Sequence, residues 1–177
     1  MNLKNPQRIF FITGMPGVGK SYLGRNYALR RGVEFMDTDE YIENESGLSV
    51  ADFFRNHGED AFRLQEQKVL RSLIDWKWEN RLMIVSAGGG MPVNSYNRSL
   101  MRKLGLIIWM KGKPQYIYQR LSDTDKKSRP KILLNDGYEP FMELYRARIN
   151  DYMQCHYELY TEGDLERDIG EFHLFTR

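Results

Sequence analysis

Eight consecutive residues near the start of the chain, Gly14-Met15-Pro16-Gly17-Val18-Gly19-Lys20-Ser21, fit the pattern G-x-x-x-x-G-K-[ST]. They follow an apolar run, Ile9–Thr13, and open a helical stretch, Lys20–Arg30. Glycines at such a junction let the backbone turn tightly, so that successive N–H groups point inward at phosphate oxygens. The helix N-terminus adds partial positive charge. Lys20 is spaced to reach β- and γ-phosphates, and Ser21 to offer its hydroxyl to Mg²⁺. A Gly-rich turn without a ligand is the bland alternative, but the strand before it and the helix after it favour a nucleoside-triphosphate loop. The motif leaves open what happens to the terminal phosphate.

Three further clusters could serve an acceptor. Asp37-Thr38-Asp39 follows a second apolar run, Val33–Met36. Carboxylates at the carboxyl end of a parallel strand border the ligand crevice of such sheets. Asp37 and Asp39 are read as one extended segment, with one carboxylate serving Mg²⁺ and the other an acceptor hydroxyl. The alternative is an Asp-rich turn capping a helix that starts near Glu40. Arg63 lies one turn into a helical stretch. It is either solvated or, in a crevice, a bidentate clamp for a carboxylate, with Glu66 three residues on to hold it. Gly88-Gly89-Gly90 follows the run Leu82–Ala87. Three glycines cost backbone entropy and pack nothing, which suits a place where something must approach the main chain closely; a loose turn is the other reading.

These residues need elements to position them. Apolar runs at Ile9–Thr13, Val33–Met36, Leu82–Ala87, Leu106–Met110 and near Glu158–Thr161 read as strands covered on both faces. Helical spacing predicts helices over Lys20–Arg30, Ser49–Asn56, Asp60–Trp76, Ser95–Leu104, Pro114–Leu121 and Glu139–Tyr152. The alternation implies an α/β fold, a parallel sheet with helices on both faces. Ser122–Gly137 breaks the scheme. It is polar, charged and interrupted by Pro130, and it is too long for an ordinary connector. It reads as a solvated loop or as a mobile lid carrying charge to a site.

Composition narrows the field. At 177 residues the chain is about one domain. Hydrophobic residues at 41% and charged residues at 28% argue against disorder. No apolar run approaches the roughly 20 residues of a membrane helix, and no secretory leader is legible, so a cytoplasmic protein without membrane contact is expected. A net charge of +2 gives no reason to expect nucleic acid as a partner. One cysteine, Cys155, leaves no internal disulfide and no multi-cysteine metal site. His57, His156 and His173 lack ligand spacing. Trp76 and Trp78 read as core packing, and Lys126-Lys127 as a solvated charge run.

Together the motifs resemble the shikimate kinase family. The resemblance runs through GMPGVGKS at 14–21, FMDTD at 35–39, SVADFFRNHGEDAFRLQEQKVL at 49–70, GGG at 88–90, SRP at 128–130, and Arg148 with Tyr152. The 53–70 segment is the most specific. The resemblance implies a P-loop NTPase three-layer sandwich, with a five-stranded parallel sheet flanked by helices. This nucleoside-monophosphate-kinase-like fold would span 1–177 as one domain, with an acceptor-binding region at about 38–70 and a mobile lid at about 122–137. It implies a monomer that transfers phosphate from ATP to the 3-hydroxyl of shikimate with Mg²⁺. Residues 14–22, Gly14 through Ser21 with Tyr22, would bind ATP. Ser21 and Asp37 would hold the metal, and Asp39 would contact the acceptor hydroxyls as base or orienting group. Arg63 and Arg148 would grip the acceptor carboxylate, Gly88, Gly89 and Gly90 would pack against its ring, and Lys20 and Arg129 would stabilise the transferred phosphoryl group. The chain departs from the family at Asn150, where proline is usual, and at Ser122, near the place of a second lid arginine for which Arg120 could substitute. The alternatives are another small-molecule kinase, such as one for a gluconate-type polyhydroxy acid, and a nucleotide-binding module that transfers nothing.

Overall fold

The computed structural model describes residues 9–74, 82–121 and 137–177. Five parallel strands, β1 (Ile9–Thr13), β2 (Glu34–Asp37), β3 (Met83–Ser86), β4 (Gly105–Lys111) and β5 (Tyr157–Tyr160), form one sheet in the order β2-β3-β1-β4-β5. Helices join them: α1 (Lys20–Arg31), α2 (Thr38–Ser46), α3 (Val50–Ser72), α4 (Ser95–Leu104), α5 (Pro114–Arg120), α6 (Tyr138–Tyr152) and α7 (Leu165–Phe175). A 3₁₀ turn, Met91–Val93, precedes α4. Among the described residues no helix is long and apolar enough to cross a membrane.

The continuous apolar runs are explained by two cores. Successive residues of a strand face opposite sides of the sheet. Phe10 and Ile12 of β1 pack with Leu23 and Tyr27 of α1, Phe141 of α6 and Phe172 of α7. Ile9 and Phe11 pack on the other face with Leu70, Leu73 and Met101. A third cluster, Ile42, Phe53, Phe62 and Val69, ties α2 to α3. Each face of β1 is therefore covered, and all five of its residues are buried.

Strand limits differ from the sequence expectation by about a residue, because pairing with neighbours sets them rather than hydropathy. β2 runs to Asp37, through its register partner Ser86. The expected helices Ser49–Asn56 and Asp60–Trp76 meet in α3 across a break at Gly58, whose φ of 80° is non-helical. The described part of α3 ends at Ser72, and Trp76 lies outside the described residues, as does Trp78. One expectation is corrected. Asp37 and Asp39 do not share an extended segment: Asp37 closes β2, and Asp39 is in the first turn of α2. The helix starts earlier than hydropathy suggested because Asp37 caps it. The terminal helix α7, not expected from the sequence, starts at another carboxylate cap, Asp164.

Candidate active site

Gly19 N-caps α1 at φ 108°, a conformation costly to any residue with a side chain. The loop it closes is a ring of main-chain groups: Met15 and Val18 send their side chains into the core, so they can offer a ligand only backbone. Lys20 is buried, and its Nζ donates to the carbonyls of Gly14 (3.0 Å) and Met15 (3.1 Å). The ammonium thus lies across the mouth of the loop, where an anion would compete with those neutral acceptors. Tyr22, one residue past the motif, is exposed.

Beside Lys20, the Ser21 hydroxyl donates to Asp37 Oδ2 at 2.6 Å and lies 3.2 Å from Ser86 Oγ. The other Asp37 oxygen accepts from the N–H groups of Asp39 (3.0 Å) and Glu40 (3.3 Å). One oxygen of Asp37 thus caps the helix, as the turn reading expects, and the other faces the phosphate loop. Three hard oxygen donors, from Ser21, Asp37 and Ser86, fit Mg²⁺, which takes few protein ligands and completes its shell with phosphate and water. Accordingly, no cluster of three or more His, Cys, Asp or Glu suited to a metal occurs among the described residues. Ser86 was missed in the sequence. Its available signal was a hydroxyl at the carboxyl end of β3, the position where such sheets bind ligands. A cavity of about 240 Å³ opens here, lined by Lys20, Ser21, Asp37, Asp39 and Glu43 among others.

The glycine triplet explains how the remaining groups meet. A Cβ on Gly88 would overlap Asp39 Oδ1, and one on Gly90 would overlap the Arg63 guanidinium. A Cβ on Gly89 would sit 3.4 Å from Arg148 Nη1 and 3.0 Å from Pro16 of the phosphate loop. Three adjacent missing side chains thus admit one carboxylate and two guanidiniums, from α2, α3 and α6. The loop is pinned on two sides. Gly88 N–H donates to the buried Thr38 hydroxyl at 2.9 Å, and the Tyr152 hydroxyl donates to Gly89 O at 2.6 Å. Arg98 of α4 adds a hydrogen bond to Pro92 O and an ion pair with Asp151 of α6 at 3.1 Å.

The two arginines differ in their partners. Arg63 donates to Glu66 (2.6 Å) and to Glu59 (2.9 Å). Arg148 is 7% exposed and makes no hydrogen bond or ion pair within the described residues. Glu66 is fully buried, and its second oxygen accepts from Asn97 Nδ2 at 3.1 Å. Burial pushes the Glu66 carboxyl up to about 7 against the pull of Arg63; Asp39 raises it further and Arg148 lowers it. Three charged side chains, Arg63, Asp39 and Arg148, therefore act on this carboxyl. Sequence reasoning named Glu66 as a brace but missed Asn97, whose only signal was a polar residue on the apolar face of α4.

On the other flank of the phosphate loop, Arg120 holds its guanidinium over Gly19 and against Tyr116. Arg129 and all of the expected lid except Gly137 lie outside the described residues.

A parallel sheet ordered 2-3-1-4-5, with a phosphate loop after β1, an acidic cavity at the carboxyl ends of β2 and β3 and two arginines against the adjoining glycine loop, defines a P-loop kinase of small molecules. The family model described as shikimate kinase matches residues 16–170. A shikimate kinase of Rhizobium meliloti is 33% identical, covering 90% of this chain and 76% of the relative. One from Persephonella marina is 31% identical, covering 88% and 90%. Among solved structures, the shikimate kinase from Acinetobacter baumannii in complex with shikimate superposes with a TM-score of 0.83 at 26% identity, covering 94% of this chain and 90% of that one. The Aquifex aeolicus shikimate kinase does so with a TM-score of 0.78 at 25% identity, covering 94% of each. The chain belongs to the shikimate kinase family.

Proposed function

We propose that this protein transfers the γ-phosphoryl group of ATP to the 3-hydroxyl of shikimate, as a cytoplasmic monomer. The observation that carries the reading is the glycine triplet, which admits Asp39, Arg148 and Arg63 side by side next to the phosphate loop. A small anionic polyol needs just such a set: a carboxylate for its hydroxyls, guanidiniums for its carboxylate and bare main chain against its ring.

In this reading the backbone N–H groups of residues 14–21 hold the phosphates, with Tyr22 beside them, and Lys20 leaves its carbonyl partners for phosphate oxygens. Ser21 and Asp37 hold Mg²⁺, which when bound supplies charge neutralisation at the phosphates. Arg63 and Arg148 fix the acceptor carboxylate, and so orient the ring with its 3-hydroxyl toward Asp39. Asp39 aligns that hydroxyl and accepts its proton as the oxygen–phosphorus bond forms and ADP departs. Arg129 supplies a further cation to the transferred group, from the 122–137 segment acting as a lid. Fixing both reactants in line supplies most of the rate, because the chemistry asks for position and charge rather than a covalent intermediate.

The test is ADP release in a coupled assay against a panel of hydroxy acids. Shikimate should be turned over at least about a hundredfold more efficiently than gluconate and other open-chain polyhydroxy acids, since those leave buried polar groups unpaired. Equal turnover of gluconate would favour the other kinase reading, and no turnover of any acceptor would favour a non-transferring module.

A further inference from the structure

Arg63 is held by two carboxylates that differ in kind. Glu66 accepts from Nη1 at 2.6 Å, its side chain is 1% exposed, and Asn97 anchors its other oxygen. Glu59 accepts from Nη2 at 2.9 Å, and its side chain is 39% exposed. Glu59 stands directly after the Gly58 break and one helical turn before Arg63, so a rotamer change takes its carboxylate into water. Glu66 has no such exit.

Nη2 is also the Arg63 atom that a Cβ on Gly90 would meet first. A carboxylate arriving along the glycine loop therefore meets the nitrogen that Glu59 already holds. Two carboxylates on one nitrogen repel at contact distance, and that repulsion is only partly screened at a half-exposed site. Although Nη2 has two N–H donors, the repulsion favours the departure of one carboxylate, and Glu59 is the one with somewhere to go. We infer that Glu59 sets acceptor affinity: its carboxylate keeps Arg63 paired and oriented in the empty site, and the acceptor's carboxylate displaces it on binding. This rests on the reading of Arg63 as a carboxylate clamp.

The consequence is specificity. An acid that offers only its carboxylate exchanges one ion pair for another and gains little. An acid that also engages Asp39 and the glycine loop has binding energy left over. The two glutamates on one guanidinium then act in opposite directions. Glu66 positions Arg63 for the acceptor, whereas Glu59 competes with the acceptor for it.

The test is the acceptor's KM and kcat, with equilibrium binding, for the wild type and for Glu59→Gln, Glu59→Ala, Glu66→Gln and Arg63→Ala, using shikimate and, as a bare carboxylate inhibitor, cyclohexanecarboxylate. Glu59→Gln and Glu59→Ala should each lower the shikimate KM about two- to fivefold, the range for releasing one half-exposed ion pair. The change should fall in KM rather than kcat and leave the KM for ATP in place. The inhibitor should gain by a similar factor. Glu66→Gln should move the shikimate KM the other way. An unchanged or raised shikimate KM in both Glu59 variants, with Arg63→Ala raising it, would overturn this role for Glu59 while leaving the clamp intact. If Arg63→Ala leaves the shikimate KM unmoved, the clamp itself is wrong and this inference goes with it. A merely structural Glu59 would shift the unfolding midpoint and raise KM, which also counts against the proposal.

Discussion

Replacing Arg148 by methionine should separate binding from stability. This guanidinium is buried at 7% exposure, with no hydrogen bond or ion pair among the described residues. Its return for losing water is a diffuse attraction to Glu66. Methionine is apolar and of similar length, so removing the charge removes a desolvation cost along with that attraction. Folding stability should then change by about 1 kcal/mol or less, since exchanging a buried ion for a packed apolar chain is often neutral. In the proposed reading, the same guanidinium would face the acceptor's carboxylate in a dry site. Losing it there costs about 2–5 kcal/mol, or about thirty- to several-thousandfold in acceptor affinity. Arg63→Met should behave differently, because it strands the buried Glu66. Without its main partner that buried carboxyl must either stay protonated to a higher pH or carry an uncompensated charge, and the fold should lose about 3–5 kcal/mol as well as acceptor binding. Urea unfolding of the ligand-free variants at pH 8, beside acceptor titrations of ADP release, reads both quantities. The reasoning fails if Arg148→Met binds the acceptor like the wild type, or if it unfolds as readily as Arg63→Met.

Two further outcomes follow from the same contacts. Glu66 titrates near 7 in the folded chain against an ordinary value of 4.5, so between these limits the folded chain binds a proton that the unfolded chain has released. The Glu66 contribution to stability should therefore fall as pH rises from about 4.5 to 7, by about 3 kcal/mol in all, and then level off. Glu66→Gln should abolish that slope in unfolding curves taken from pH 5 to 8; an equal slope in the variant would assign the titration to another group. Gly88→Ala would set a methyl group against Asp39 Oδ1. It should lower kcat by about a hundredfold through displacement of that carboxylate, with ATP binding retained; a variant with near-normal kcat would remove Asp39 from the reacting centre.

Local chemistry made much of this protein legible without coordinates. The phosphate loop can be read from eight contiguous residues because its function belongs to contiguous backbone N–H groups, and its strand and helix flanks lie on either side in the chain. The strands were found because burial on both faces leaves unbroken apolar runs, as in Ile9–Thr13. The glycine triplet advertised a close approach but not what approached. The Asp37 side chain could be read as cap or as ligand; it caps α2 with one oxygen and turns the other to Ser21 of the phosphate loop, because its two oxygens face different elements.

What tertiary structure alone decided were pairings across long sequence separations. The β2–β3 register sets Asp37 opposite Ser86, and a slip of one residue would turn one of the two to the other face of the sheet. The same two strand ends deliver Gly88 against Asp39, while α3 and α6 bring Arg63 and Arg148 to the adjacent glycines. Which arginine is already paired, and which nitrogen of Arg63 Glu59 holds, depends on side-chain directions after packing. Sequence spacing constrains neighbours three or four apart on a helix, but the meeting of four elements at one point is set by how the layers stack.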